Sequence, residues 1–402
     1  MHHSPIRFIL IGLGGYGGYC YDLLKSYIPS SRYVLCGIID PVAEKASHYQ
    51  EIREKNIPIF PDTQTFFQTG KADLALIASP IPYHCEQAVS CMQHGVNVLC
   101  EKPITATLQD YEKMAQAARE TKTRLAVGFQ WSFADPILQA KTDILTGRYG
   151  KPLRMRAYIS WKRYDEYYQN GWKGCIADSQ GRWILDTVAS NATAHYLHNL
   201  YFMLGDRLET SAMPETLQAM LLRAKDIETY DTCLLKGRCA GADILYIATH
   251  AADCATEPTL IYEFEKGTIT MNLQKPGQVL YGNLDGEIIA YGNPQCPSAV
   301  AQKIEKMMDA IAFDSLIPCL PETVRPHLAT VNGLMEQCPI RSFPSHTFRE
   351  EERGTFVHSL NQQLLTCFQQ FRLPHPGEWD WVFQPTELHL DGYRYFSGVY
   401  HD

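Results

Sequence analysis

No stretch of the 402 residues stays apolar for the ~18 positions a membrane helix needs, so the pattern excludes a spanning helix. Basic residues are too few and too scattered to track a phosphate backbone. The 36 lysines and arginines are outnumbered by 44 acids, the net charge is -8, and the pI is about 6.0, so no nucleic acid partner is expected. Thirteen cysteines contain no Cys-x-x-Cys pair; the odd count suits thiols kept reduced in a cytoplasm, without a disulfide framework. Internal repeats and low-complexity tracts are also missing, which argues against a solenoid or a disordered array. The opening Met1-His2-His3-Ser4-Pro5 runs into Ile6 to Gly12 too quickly for a signal peptide, so a cytoplasmic location is expected. What remains is ordinary globular material, 45% hydrophobic and 20% charged, at a length that favours two domains over one.

The apolar run Ile6 to Ile11 meets Gly12-Leu13-Gly14-Gly15-Tyr16-Gly17 and then the helical-looking Tyr19 to Leu24. Strand, glycine turn and helix are the context that gives G-x-G-x-x-G its meaning. Gly12 permits the turn, Gly14 admits a pyrophosphate close to backbone N–H groups, and Gly17 lets the helix pack on the strand. Gly12, Leu13, Gly14, Gly15, Tyr16 and Gly17 are therefore candidate dinucleotide contacts. A second strand, Tyr33 to Ile39, ends in Asp40, where a carboxylate accepts from ribose hydroxyls and repels a 2′-phosphate, preferring NAD over NADP. The lesser alternative for Asp40 is a helix-capping or turn aspartate before Pro41. Asp73 to Ala78, Val98 to Cys100 and Arg124 to Gly128 continue as strands, separated by helical stretches His84 to His94 and Leu108 to Thr121. This alternation gives a doubly wound parallel sheet to about residue 130.

The run Val98-Leu99-Cys100-Glu101-Lys102-Pro103 ends at the carboxyl edge of that sheet, where such folds bind ligands. Pro103 restricts the residue before it, so Lys102 is aimed by the backbone. The order Gly12-x-Gly14-x-x-Gly17, Asp40-Pro41, Ala78-Ser79-Pro80-x-x-x-His84, Glu101-Lys102-Pro103, Gly128-Phe129 resembles the glucose-fructose oxidoreductase and inositol dehydrogenase family, written Gfo/Idh/MocA. The resemblance is close over residues 6 to 160 and thinner beyond. It implies a catalytic Lys102, a cofactor contact at Glu101, and a loop at Ser79, Pro80 and His84 lining the nicotinamide half of the dinucleotide.

Lys151 to Trp161 alternates with the period of a strand, as do Thr232 to Arg238, Asp243 to His250, Leu260 to Phe264, Thr268 to Leu273 and Glu287 to Tyr291. With no helices between consecutive members they should pair antiparallel, giving an α+β domain with an open sheet over residues 131–341. In the resembling family that open face is the usual oligomer interface, which implies a homodimer or homotetramer. Helical patterns return at Ala299 to Phe313 and Pro321 to Glu336. An aromatic-rich extension, 342–402, with a helix from Glu350 to Phe371, is expected to pack on its own subunit or a neighbour.

The polar-aromatic stretch Trp161 to Gly174 suits stacking against sugar rings, with Arg163 and Asn170 able to bond hydroxyls or a carboxylate; its alternative is an amphipathic loop packed on the sheet. Further on, a helix from Asn191 to Gly205 would put Asn191, His195, His198 and Asn199 on one face. In the resembling family this helix carries Asp-x-Gly-x-His-x-x-Asp. Counting back from Gly205 aligns His195 with its catalytic histidine, while Asn191, Thr193 and His198 replace the first aspartate, the glycine and the second aspartate. Asparagine can orient an imidazole but cannot stabilise its cation, so proton removal shifts toward Lys102 or is shared with His198. A His195/His198 metal pair lacks a third ligand at motif spacing, so no metal is expected. Catalytic candidates are thus Lys102, His195 and Asn191, and candidate substrate contacts are Trp131, Trp161, Arg163, Tyr168, His195, His198 and Asn199. The resemblance implies NAD-dependent hydride transfer on a secondary hydroxyl of a sugar, glycoside or cyclic polyol. Alternatives are a redox-neutral lyase or epimerase that recycles NAD in place, a non-catalytic dinucleotide or sugar sensor, and, last, a biliverdin-reductase-like reductase.

Overall fold

The computed structural model describes residues 4–169, 171–272 and 279–400; Asn170 and Leu273, singled out above, lie outside them. The chain forms two units, 1–135 with 294–324, and 136–293 with 325–402. Among the described residues no helix is long and apolar enough to cross a membrane.

In the first unit six strands pair in the order Ile59–Phe60, Tyr33–Ile39, Ile6–Ile11, Leu74–Ile77, Asn97–Cys100, Leu125–Val127, all parallel. Near-continuous apolar runs make the central strands: every residue of Leu74–Ile77 is buried, as strands covered on both faces require. The order reverses direction between Ile6–Ile11 and Leu74–Ile77, and that switch point opens a crevice at the strands' carboxyl ends. Local signals set the helix ends. Thr107 caps Leu108–Thr121 by accepting from the Asp110 N–H, and Lys122 closes it in the left-handed conformation.

The helix Pro297–Phe313, expected within a contiguous second domain, groups with the first unit. Long-range ion pairs account for this: Arg32 reaches Glu305 and Asp309, Lys303 pairs with Glu101, and Arg124 pairs with Asp314. The segment beyond the helix adds a backbone bond from Val127 N to the Cys319 carbonyl at 2.9 Å.

The second unit is built on a sheet in the order Glu287–Gly292, Leu280–Leu284, Gly267–Asn272, Thr256–Phe264, Pro152–Ser160, Ala242–Thr249, Thr232–Cys239, Pro214–Arg223, Ile340–Ser342, with Thr386–Leu388 also on Pro214–Arg223. The sheet is mainly antiparallel, but Pro152–Ser160 pairs parallel with Ala242–Thr249. The long connection after Ser160 frees that strand from hairpin pairing and lets it insert between later strands. One sheet face packs on the helix Ala194–Met203, where the hydroxyls of Tyr246 and Thr193 meet.

The other face was expected to be open, and much of it is not. Tyr158, Met220, Leu222, Leu234, Leu245 and Ile247 form one core with Leu360, Leu364, Phe368, Phe371 and Trp381 of the C-terminal extension. Polar contacts fix the cover: the Tyr158 hydroxyl donates to the Asn361 carbonyl at 2.9 Å, and Arg156 donates to that of Phe368 at 2.9 Å. The extension also departs from the expected single helix. Phe348–Glu351 and Gly354–Val357 form a hairpin, and the helix runs only from Leu360 to Gln369. Glu352 and Arg353 turn the hairpin; Gly354 starts its second strand at φ 140°, and a side chain there would meet Asp165 Oδ1 at 2.3 Å.

Candidate active site

In the first unit the glycine turn is packed from below and clear above. A Cβ on Gly17 would lie 2.2 Å from the Gly12 carbonyl oxygen, and one on Gly12 would lie 2.8 Å from Ser79 N. One on Gly14 meets nothing within 4 Å. Tight packing at two glycines and open space at the third is the arrangement a pyrophosphate on a helix N-terminus needs. Asp40 accepts from Leu13 N–H at 2.8 Å and Val42 N–H at 2.9 Å. It is therefore the turn residue and also braces the glycine turn. A carboxylate has about four acceptor positions, so ribose hydroxyls can still bond to it.

The strand end around Lys102 is braced in a way that sequence reasoning missed. Glu101 is nearly buried and pairs with Lys303, which is fully buried. Lys303 also donates to the Tyr16 hydroxyl at 3.0 Å, and Tyr16 donates to Gln130 at 2.7 Å. A Cβ on Gly128 would lie 2.7 Å from the Glu101 carboxylate, so that glycine is needed for space. Burial pulls Lys303 toward its neutral form, but Glu101 together with Tyr16 and Cys20 holds the pKa well above the ordinary lysine value. Nothing in sequence marks residue 303 as the partner of residue 101, since the two are joined only by folding. The Lys102–Pro103 peptide is cis.

His84 is buried, not lining a crevice. Its Nδ1 lies 3.0 Å from the Pro103 carbonyl oxygen and its Nε2 2.8 Å from that of Ser79. It thereby ties the Ser79–Pro80 loop to the turn after Lys102, and burial lowers its pKa. Ser79 Oγ donates to Gln87 at 2.5 Å. Trp131 is buried in the short turn Gln130–Phe133 of the same unit.

In the second unit the helix carrying His195 begins at Ala194; Asn191 lies in a π turn, Val188–Ala192, capped by Thr187 and Ser190. The α-helix therefore starts three residues after Asn191, and the continuous helix expected from 191 is interrupted at Thr193. His198 stacks on Phe202 at 5.8 Å and meets His327 edge-on at 6.4 Å, and burial pushes its pKa well down. Asn199 is also buried and accepts from the Tyr262 hydroxyl. Both therefore sit in the interior of the helical layer.

Trp161, Arg163 and Tyr168 do come together, around a residue the sequence reading passed over. The His250 ring lies parallel to Trp161 at 6.3 Å, edge-on to Tyr167 at 5.7 Å, and 2.7 Å from the Tyr168 hydroxyl through Nδ1. Tyr196, next to His195 in the chain, meets Trp161 edge-on at 6.0 Å. Burial first, then Arg163 and Lys225, pushes His250 down to about 3, so the ring is neutral. His250 ends a strand and carries no motif; only its strand-end position could have drawn attention. Trp161 also borders a cavity of about 300 Å³ with Ala255, Thr256 and Glu257. Among the described residues no group of three or more His, Cys, Asp or Glu side chains could hold a metal ion.

Residues 6–129 match the family model described as an oxidoreductase family with an NAD-binding Rossmann fold. The chain is 27% identical over 159 residues to scyllo-inositol 2-dehydrogenase (NAD(+)) of Bacillus subtilis, covering 39% of this chain and 45% of that protein. It is 27% identical over 156 residues to D-glucoside 3-dehydrogenase of Escherichia coli, covering 38% and 42%. The matched segment thus spans less than half the length of these relatives. Among solved structures, WlbA dehydrogenase from Bordetella pertussis, in complex with NADH and UDP-GlcNAcA, superposes with a TM-score of 0.66 at 22% identity, covering 82% of this chain and 94% of that one; the likeness is one of fold. Residues 6–129 carry the NAD-binding Rossmann domain of the Gfo/Idh/MocA oxidoreductase family.

Proposed function

We propose that the chain is an NAD-dependent oxidoreductase acting on a secondary hydroxyl of a sugar, glycoside or cyclic polyol, with Lys102 and His195 handling the hydroxyl proton. The observation that carries this reading is the carboxyl edge of the first sheet. The glycine turn, Asp40, Ser79 and Glu101–Lys102 all follow parallel strands of that one sheet. The names of the relatives, an inositol and a glucoside dehydrogenase, support the substrate class.

Bound NAD supplies the hydride acceptor. Gly12 to Gly17 would hold its pyrophosphate, Asp40 its ribose hydroxyls, and Ser79 and Pro80 its nicotinamide half. Lys102 stands between Pro103 and the buried Glu101–Lys303 pair, which fix its backbone from both sides, and its amine in the neutral form would receive the hydroxyl proton. His195 shares that proton or orients the hydroxyl. Asn191 carries no charge to stabilise an imidazolium, which leaves more of the work to Lys102.

Lys102→Ala should keep NAD affinity and lose turnover by a factor of about 10² to 10⁴. NADH fluorescence titration and a steady-state assay over a sugar panel measure the two. A variant that keeps full turnover sinks the assignment, and a chain whose wild type binds sugars without turnover is a sensor. One relative, 26% identical, is named 2,7-anhydro-N-acetylneuraminate hydratase, which favours a redox-neutral reaction as the second reading. Product formation without free NADH, followed by absorbance, would select it.

A further inference from the structure

Two cations in the second unit lie on aromatic rings instead of on carboxylates. The Arg163 guanidinium is 5.0 Å from the Trp161 ring centre and 4.9 Å from that of Tyr167, and the Lys173 ammonium is 4.0 Å from the Tyr167 ring. Among the described residues neither forms an ion pair. Two acids of the same segment and its neighbour are already paired with other cations: Asp165 with Lys225 at 3.1 Å, and Glu351 with Lys162 at 2.7 Å. A guanidinium held over two rings by cation–π attraction keeps N–H groups to bind a planar or tetrahedral oxyanion.

His250 gives an independent sign of a missing partner. It is 2% exposed and its Nδ1 is taken by the Tyr168 hydroxyl, yet its Nε2 is buried with no hydrogen-bond partner. With the Tyr168 hydroxyl as donor to Nδ1, the single proton of a neutral ring sits on Nε2, and a buried N–H calls for an acceptor oxygen.

We propose that Arg163, Lys173 and the Trp161–Tyr167–His250 group form an anion subsite, and that the substrate is a carbohydrate bearing a carboxylate or a phosphate. The inference rests on the carbohydrate reading above and narrows it. A site built for neutral hydroxyls alone would not need two cations; here Arg163 and Lys173 lie on rings with no ion pair among the described residues, beside the unpartnered Nε2 of His250.

The test uses the full chain with NAD and paired ligands: D-glucose, D-galactose and D-mannose against their uronates and 6-phosphates, with Kd from calorimetry. At least one acid should bind about 10-fold or more tighter than its neutral parent, and added salt should erode that preference. Arg163→Met should abolish it; Lys173→Gln, at a half-exposed position, should reduce it and serves if the first variant fails to fold. Uronate preference and phosphate preference each support the subsite and identify its anion. Equal affinity for acids and neutral parents, or an acid preference unchanged in both variants, overturns it. Acid binding that persists while no sugar is oxidised removes the oxidoreductase reading and leaves the subsite. Oxidation of neutral sugars as readily as acids does the reverse.

Discussion

At the scale of single residues, the buried Glu101–Lys303 pair carries the clearest energetic consequence. A pair taken out of water is a weak source of net stability, but removing one partner strands the other charge in a low dielectric. Lys303→Met should therefore lower the unfolding free energy by about 3–5 kcal/mol, read from denaturant midpoints. Glu101→Gln combined with Lys303→Met removes both charges and should recover much of that loss. A double variant no more stable than the single one would show that packing, not charge compensation, is what Lys303 contributes. Two buried histidines teach a related lesson. His84 sits next to a motif that sequence can see, yet it serves as a brace between Ser79 and Pro103, while His250 has no motif and lies among aromatic and cationic groups.

At the scale of elements, the glycine turn separates two roles that sequence reading assigns together. Gly17→Ala forces a Cβ against the Gly12 carbonyl oxygen at 2.2 Å and should destabilise the fold by roughly 1–3 kcal/mol. Gly14→Ala meets open space and should leave the thermal midpoint nearly unchanged while weakening NAD binding about 10-fold or more. Thermal unfolding of both variants, with and without NAD, measures the contrast; a Gly14→Ala protein that binds NAD normally would place the pyrophosphate elsewhere. Other elements show how local pattern can mislead. Residues 191–205 have helical periodicity, but the chain runs through a π turn to Ala192 and a non-helical Thr193 before the α-helix starts at Ala194. In the C-terminal extension Gly354 breaks the expected helix, because its backbone conformation suits a hairpin and Asp165 leaves no room for a side chain.

At the scale of the whole molecule, the second sheet is covered on part of its expected open face by the chain's own C-terminal segment. Removing residues 343–402 would expose Met220, Leu222, Leu234, Leu245 and Ile247 together. A patch of that kind drives association, so the truncated protein should self-associate or aggregate at concentrations where the full chain does not, as light scattering would show. The outer strand Glu287–Gly292 lies outside that cover, and its Ile288 is 58% exposed. Sequence alone determined the parallel sheet, its glycine turn, Asp40 and the Lys102 strand end, because each rests on neighbours within a few residues: apolar period, turn chemistry and helix caps. Only the tertiary structure decided that Lys303 returns to Glu101, that Pro152–Ser160 inserts in parallel, that His250 gathers Trp161, Arg163 and Tyr168, and that the extension covers part of the sheet. Those outcomes depend on contacts between residues tens to hundreds of positions apart, where burial and charge pairing select the partner and no local period records the choice.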